Sequence, residues 1–503
     1  MKKAIIVLVG MAVICITAIG IMYLPEKIVD ANSSSTIVQI ENTVPAQPEP
    51  VNIVPNNTSN EVPILTYIQY DSLFNLLHDL LNGEVGKNSS TNGPLIYHID
   101  KNEIELLDNL EIDDTYTFKD VTLNLNNHSL IFGNNGFIQL DNTIITDGNF
   151  SIIGEYTEEH IVQSITNSVI NNCNIEITAQ ANVLYAFYCD EDASLIVNNC
   201  NFVAKNSPIY SLYVVGSKGD LTVSGCVFSL SLDTDKEEEN TYCIAILSKA
   251  GILNVKYTTI NGLNRDIYGV VYGIFCNPSV EQASIKNCNI YTDSHYLMLN
   301  GTYGSTALGI SARGMNTIID SCTVRGIHSA LSCAGDAVIT NSYFESTGHG
   351  GIYFGRNARK DADGNDLPVL YKVSNSTIAW GAPDGVFKED FQHKDTAGDN
   401  GASCYIGGST NATNITVYMD NCKLIGRRYA VVLRGTSNEH DNSLYITNTI
   451  VDKPMRIDNE TLKLYIGVGC NITQDSEVYW KKVKTIYSQI EGTSVVFEGS
   501  GAI

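Results

Sequence analysis

Two histidines and a recurring arginine carry the clearest chemistry in this chain. Runs of the form Gly-Ile-x-Val recur along it. The residue two places before the glycine-like position reads Val271, Ala307, His328, His349, Gly401 and Arg428 in successive copies. Just past the same runs stand Arg313, Arg356 and Arg434, and the outward slot between reads Ser311, Ser332, Tyr353, Tyr405 and Val432. Stacked as neighbouring strands, these copies would line His, Arg and Tyr along one sheet. Tyrosine rings stack on sugar faces, and fixed cations hold hydroxyls or carboxylates. On that arrangement His349 serves as a base, Arg356 or Arg428 neutralises a uronate carboxylate, and His328, Tyr353, Tyr405, Arg313 and Arg434 bind substrate. That is the equipment of β-elimination, and it makes a polysaccharide lyase the first enzymatic expectation. The competing reading is that these are solvated outward positions of a sheet without activity.

No other chemistry competes. The chain has no C-x-x-C, no H-x-x-x-H and no glycine-rich phosphate loop before a helix, so no metal centre, nucleotide or flavin is expected. Ca²⁺ is the one cofactor left open, through Asp361, Asp363, Asn365 and Asp366. That loop has Lys372 where the acidic twelfth ligand should be, so a polar hairpin is the favoured reading. A formal charge of −24 excludes nucleic acid as partner, since phosphate binding needs clustered Lys and Arg. A polysaccharide or cell-surface glycan is the expected partner.

The elements that must position these residues are legible in a repeated phrase. Cys173, Cys200, Cys226, Cys288, Cys322 and Cys422 each follow an alternating apolar run and a small or Asn-rich corner, and each precedes a second apolar run. Thr258, Ser342, Ser376 and Thr449 occupy the same slot elsewhere, giving one unit about every 20–46 residues from roughly 165 to 452. Such self-similarity marks a solenoid. With the Gly-Ile-x-Val run, each unit supplies three short strands, and Asn at the corner tolerates a left-handed backbone. The fold expected is all-β: a right-handed parallel β-helix of about eleven or twelve coils over 115–503. Coils stacked about 4.8 Å apart give a body on the order of 55 Å long. Parallel Cα–Cβ vectors in a stacked column do not favour disulfides, so the cysteines are read as free and buried. Cys189, Cys276 and Cys333 form a second register, with Cys243, Cys404 and Cys470 near the same strands but offset.

The phrase VTLNLNNHSLIF (121–132), after a leucine-rich helix, resembles the opening coil of the pectin-lyase-like superfamily. The resemblance covers roughly 70–475 and implies the β-helix fold, which carries lyases, hydrolases, adhesins and phage spikes alike. Gly348-His349-Gly350 is similar to the G-H-G of polygalacturonase-like hydrolases. Asn264-Arg265-Asp266 fits that group's N-x-D only formally, and no adjacent Asp pair between 250 and 348 and no R-x-K after His349 accompany it. Lyase chemistry is therefore expected ahead of hydrolysis. The expectation from another class is a non-catalytic surface stalk or adhesin.

Outside the repeats, Met1-Lys2-Lys3 and the apolar run Ala4–Met22 read as a membrane anchor or signal peptide within 1–24, with Val29-Asp30-Ala31 a tolerable cleavage site. The protein is expected outside the cell, surface-anchored or secreted, touching membrane through that segment alone. Residues 25–63 are rich in Pro, Asn, Ser and Thr and read as a flexible spacer. An N-terminal cap follows over 64–114. It holds one helix with Asp71 as N-cap, a stripe of Leu73, Phe74, Leu76, Leu77, Leu80 and Leu81, and Gly83 as stop. The loops 359–368 and 384–400 would border the site. The run Asp233–Glu239 reads as solvated, and Trp480 as cover for the C-terminal end.

Overall fold

Strand alternation with an inward apolar residue at every second place builds three ribbons of parallel strands, which wind as a parallel β-helix. The computed structural model describes residues 67–134, 136–156, 160–179, 181–205, 211–232, 241–264, 269–294, 306–346, 350–355, 367–381, 401–407, 414–427, 429–434, 442–457, 463–473 and 496–498. One coil illustrates the unit: a pre-corner strand Ser194–Asn198, a corner, a post-corner strand Asn201–Lys205, then a third strand Ser211–Ser217. The third ribbon is a separate sheet of thirteen described strands, from Thr115–Lys119 to Met455–Ile457. That exceeds the eleven or twelve coils counted from the repeat, because the first coils lack the cysteine phrase. Parallel stacking begins earlier than residue 115, with Glu103–Leu106 on Thr122–Asn124 and Leu110–Ile112 on Ser129–Phe132.

The corner explains the cysteine register. The residue before the slot has positive φ in coil after coil: Asn172, Asn199, Asn287, Asn341, Asn375, Asn421 and Asn448 all lie between 48° and 54°. Gly225 takes the place without a Cβ penalty at 66°. The amides also bond along the stack, Asn172 Nδ2 to Asp147 Oδ1 at 3.0 Å and Asn421 Nδ2 to Asn375 Oδ1 at 2.9 Å. The slot residue donates to the carbonyl two places earlier. Cys200 Sγ does so at 3.2 Å, Cys322 Sγ at 3.3 Å, Thr258 Oγ1 at 2.9 Å and Ser342 Oγ at 2.7 Å. It also accepts from the backbone N–H of the coil before, as Ser342 Oγ does from Cys322 at 3.1 Å. Cys, Ser and Thr interchange because all are small donors that also accept. The role is thus more than apolar filling.

All twelve described cysteines are free and buried. Burial pushes the Cys243 and Cys276 thiols up to about 12, which leaves them as unreactive thiols. Cys470 sits in the corner column, beside Thr449, and not beside the third ribbon as its sequence context implied. Its neighbour Asn471 pairs with Ile450, and Gly469 supplies the positive φ of 70°.

At the N-terminal end the helix Leu73–Asn82 is capped by Ser72, whose side chain accepts from Asn75 N, and not by Asp71. Gly83, left-handed at φ 67°, ends it. Leu73, Leu76 and Leu77 join the core, whereas Phe74 and Leu81 point to solvent at 66% and 67% exposure. The buried Asp79 holds the turn that follows. Burial alone would raise its carboxyl, but the Asn88 N–H and amide and the Tyr70 hydroxyl outweigh that and hold it below the ordinary value.

No described helix is long and apolar enough to cross a membrane, and Ala4–Met22 lies outside the described residues.

Candidate functional site

The third ribbon bears the Gly-Ile-x-Val runs, and the strands that carry them turn two successive residues inward. Gly273 and Ile274, Gly309 and Ile310, and Ala330 and Leu331 are examples. The column two places earlier is therefore inward too, and Val271 and Ala307 are fully buried. It is not the outward edge expected from the sequence. Among the described residues of the column only His328, which stands just before its strand Ser329–Cys333, is half-buried. His349, Arg356 and Arg428 lie outside the described residues, as do 359–366 and 384–400.

The outward slot does align, with Ser311, Ser332, Tyr353, Tyr405 and Val432 in register. Tyr405 is not a platform for sugar, because Ala402, Tyr429, Val432 and Tyr353 enclose it and it is 0% exposed. The Arg434 guanidinium lies 5.8 Å from its ring centroid, and Tyr353 tilts against it at 6.1 Å. Arg313 makes the same kind of contact with Phe275, at 5.2 Å. Arg313 and Arg434 are four rungs apart, about 19 Å at β spacing, so they do not clamp one carboxylate. The earlier coils repeat the pattern. Tyr185, Tyr188, Ile244 and Leu247 form an outward apolar cluster, with Lys249 over Tyr185 at 4.9 Å and His160 stacked on Tyr188 at 4.0 Å.

Counting from the corner slot onto the post-corner ribbon brings a different set together. The third residue after the slot faces outward, and successive coils read Asn261, Tyr291, Arg325, Glu345 and Ala379 in register. Arg325 Nε lies 3.0 Å from Glu345 Oε2, a charge pair without hydrogen-bond alignment. The Tyr343 hydroxyl donates to the same oxygen at 3.0 Å, and Arg325 sits 5.8 Å from the Tyr343 ring centroid. Two residues past Tyr291 stands Asp293, whose Oδ2 accepts from the Tyr291 hydroxyl at 3.1 Å.

Glu345 faces outward yet its side chain is 0% exposed, and its Oε1 accepts no hydrogen bond from any described residue. A bare buried polar atom costs about 1–3 kcal/mol, a cost that a folding role does not explain. Burial, then the Glu345 and Asp293 carboxylates, push the Tyr343 and Tyr291 hydroxyls up to about 12 against the opposing pull of Arg325. Both phenols are therefore protonated donors at neutral pH. Trp380, stacked with Arg427 at 5.1 Å, follows Ala379 in the next coil. None of Tyr291, Asp293, Arg325, Tyr343 and Glu345 was picked out from the sequence. The corner register is the signal that finds them, since each stands one, three or five residues past a slot.

Elsewhere Asn264 is buried, with its amide bonded to the Gly269 carbonyl at 2.6 Å, so it serves the core and not an N-x-D motif. On the pre-corner ribbon Tyr418, Tyr445 and Tyr465 stack at 4.5 and 4.2 Å beside a groove of about 390 Å³ that also touches Lys372 and Asp420. Those rings spend their faces on one another.

No family model matches this chain, and no curated protein matches it. A solved structure similar to it is the receptor-binding protein of bacteriophage Det7, described as a podoviral tailspike in a myovirus. The match covers 79% of this chain and 75% of that one, with 11% identity and a TM-score of 0.19. At that score the likeness carries no argument about function.

Proposed function

We propose that this β-helix binds a polysaccharide across its post-corner ribbon and hydrolyses it with Glu345 and Asp293 as the two carboxyl groups. The observation that carries the reading is Glu345, outward-facing, buried, paired with Arg325 and left with one bare oxygen. Glu345 is covered by Arg325 and Tyr343, so the reading requires the partly exposed Arg325 to swing aside before a sugar hydroxyl or an attacking water reaches that oxygen. Glycoside hydrolysis needs one carboxyl to protonate the leaving oxygen and another to activate water. The pairing with Arg325 suits Glu345 to the role that activates water, with Asp293 as the second carboxyl group of the reaction. Tyr291 and Glu345 share one column two rungs apart, about 10 Å, and Asp293 lies two residues further along the Tyr291 strand, a spacing from which two long side chains can flank one glycosidic bond. Tyr291 and Tyr343 supply ring edges and hydroxyl oxygens that can accept, their single protons being donated to Asp293 and Glu345. Export, surface attachment and membership of the pectin-lyase-like superfamily belong to the same proposal and rest on Ala4–Met22 and on VTLNLNNHSLIF.

The test is incubation with a panel of polysaccharides, read for reducing ends and for ultraviolet-absorbing unsaturated products. Reducing ends without new absorbance, lost in Glu345→Gln, support hydrolysis. Unsaturated products would return the chemistry to elimination and to His349, Arg356 and Arg428. Binding without either product would favour the stalk or adhesin, and no binding at all would sink the glycan reading.

A further inference from the structure

The hairpin that opens the β-helix carries a constellation unrelated to the glycan site. Leu95–His98 pairs antiparallel with Glu103–Leu106, placing His98 opposite Glu103 and Ile96 opposite Glu105. Alternation sends Leu95, Tyr97, Ile104 and Leu106 into the core and leaves His98, Glu103 and Glu105 half-buried on the outer face. One donor atom from each of the three lies within 4.8 Å of the other two. His98 Nε2 is 2.8 Å from Glu105 Oε2.

An ion pair explains only part of this arrangement. One imidazole pairs with one carboxylate, whereas here a second, Glu103, is held beside the first. Neither glutamate has a Lys or Arg partner among the described residues. Two carboxylates that close repel unless a cation stands between them. The adjacent coil also holds both in place: the Asn126 amide donates to Glu105 Oε1 at 3.1 Å and the Asn124 amide to Glu103 Oε1 at 3.5 Å. Each amide occupies one oxygen and leaves the other for the shared centre, as outer partners do around metal ligands. One imidazole nitrogen and two carboxylate oxygens suit a divalent transition cation.

We propose that His98, Glu103 and Glu105 bind one such cation, which fastens the antiparallel hairpin to the first coil. Glu103–Leu106 is paired on one side with the hairpin and on the other with Thr122–Asn124, so an ion here ties cap to solenoid where the open end needs protection.

The experiment titrates Co²⁺ and Zn²⁺ into full-length protein stripped with a chelator. The expected result is one equivalent of Co²⁺ with ligand-field bands and without the strong charge-transfer band of thiolate ligation, together with a Tm that rises under saturating Zn²⁺. Glu103→Gln leaves the His98–Glu105 pair intact and is expected to weaken Co²⁺ at least tenfold with an unchanged circular dichroism spectrum. His98→Ala is expected to do the same. Wild-type protein that takes up no stoichiometric Co²⁺, or a Glu103→Gln protein that binds it as tightly as wild type, would overturn the proposal.

Discussion

Two outward surfaces of this β-helix pair arginine with tyrosine, and they spend the arginine differently. On the third ribbon Arg434 covers the ring of Tyr405, which is itself sealed by Tyr429, Val432 and Tyr353. Charge over ring, and ring among apolar neighbours, satisfies the described groups around Tyr405. On the post-corner ribbon Arg325 faces Glu345, and the carboxylate keeps one oxygen unsatisfied in a buried position. The first arrangement lowers the free energy of the fold, whereas the second raises it. Ser217 Oγ and Thr317 Oγ1 are also buried without a partner among the described residues. What marks Glu345 is that its bare atom belongs to a charged group beside an arginine, a better guide to function than a row of aromatic side chains.

The largest test of that contrast is Glu345→Gln. It is expected to cut hydrolysis by roughly 10²–10⁴-fold while leaving the urea midpoint unchanged or higher, as the strained charge is relieved. A variant that turns over normally would reduce the cluster to an ion pair of the fold. Tyr405→Ala should give the opposite profile. Removing a fully buried ring is expected to destabilise by about 3–5 kcal/mol in urea unfolding, with glycan affinity per folded molecule unchanged. Affinity lost without stability loss would move the site back to the third ribbon.

The two arginines extend the comparison at smaller scale. Arg434→Met removes a cation over a ring, for about 1 kcal/mol. Arg325→Met strands a buried carboxylate and should cost about 2 kcal/mol, less than a fully buried pair because Arg325 is 37% exposed. Equal costs in paired urea titrations would erase the distinction between the surfaces.

The smallest effect concerns Asp420, a carboxylate whose donors are in place. The Thr447 hydroxyl and then the Asn448 amide, at 2.6 and 2.8 Å, hold its carboxyl below the ordinary value. Its folded pKa is depressed, so its contribution is present above the unfolded Asp value of about 4 and lost as pH falls through the lowered folded value. Stability profiles of wild type and Asp420→Asn should therefore differ at neutral pH and converge in acid. Profiles that stay parallel down to pH 2 would show the hydrogen bonds contribute nothing through charge.

The sequence by itself determined the coil. A residue with positive φ followed by a small donor is a local requirement, met within a few residues of Asn199-Cys200 or Asn341-Ser342, so it leaves a trace that can be counted. Inward alternation is equally local, and free cysteines followed from column geometry. The cap residue slipped by one, from Asp71 to Ser72, since both types can cap and only the backbone at Ser72, extended at φ −146°, selects between them.

What only the tertiary structure decided was which covered outward positions are satisfied by their neighbours and which keep a bare polar atom. Tyr405 and Glu345 both occupy outward slots by alternation, and nothing within a few residues of either tells that one is enclosed by rings from neighbouring coils and the other by an arginine and a tyrosine. Arg325 and Glu345 are twenty residues apart in the chain, yet adjacent in the column, because each coil sets its own length while the rungs stay about 4.8 Å apart. Their pairing is a property of the stack, and so is the oxygen it leaves bare.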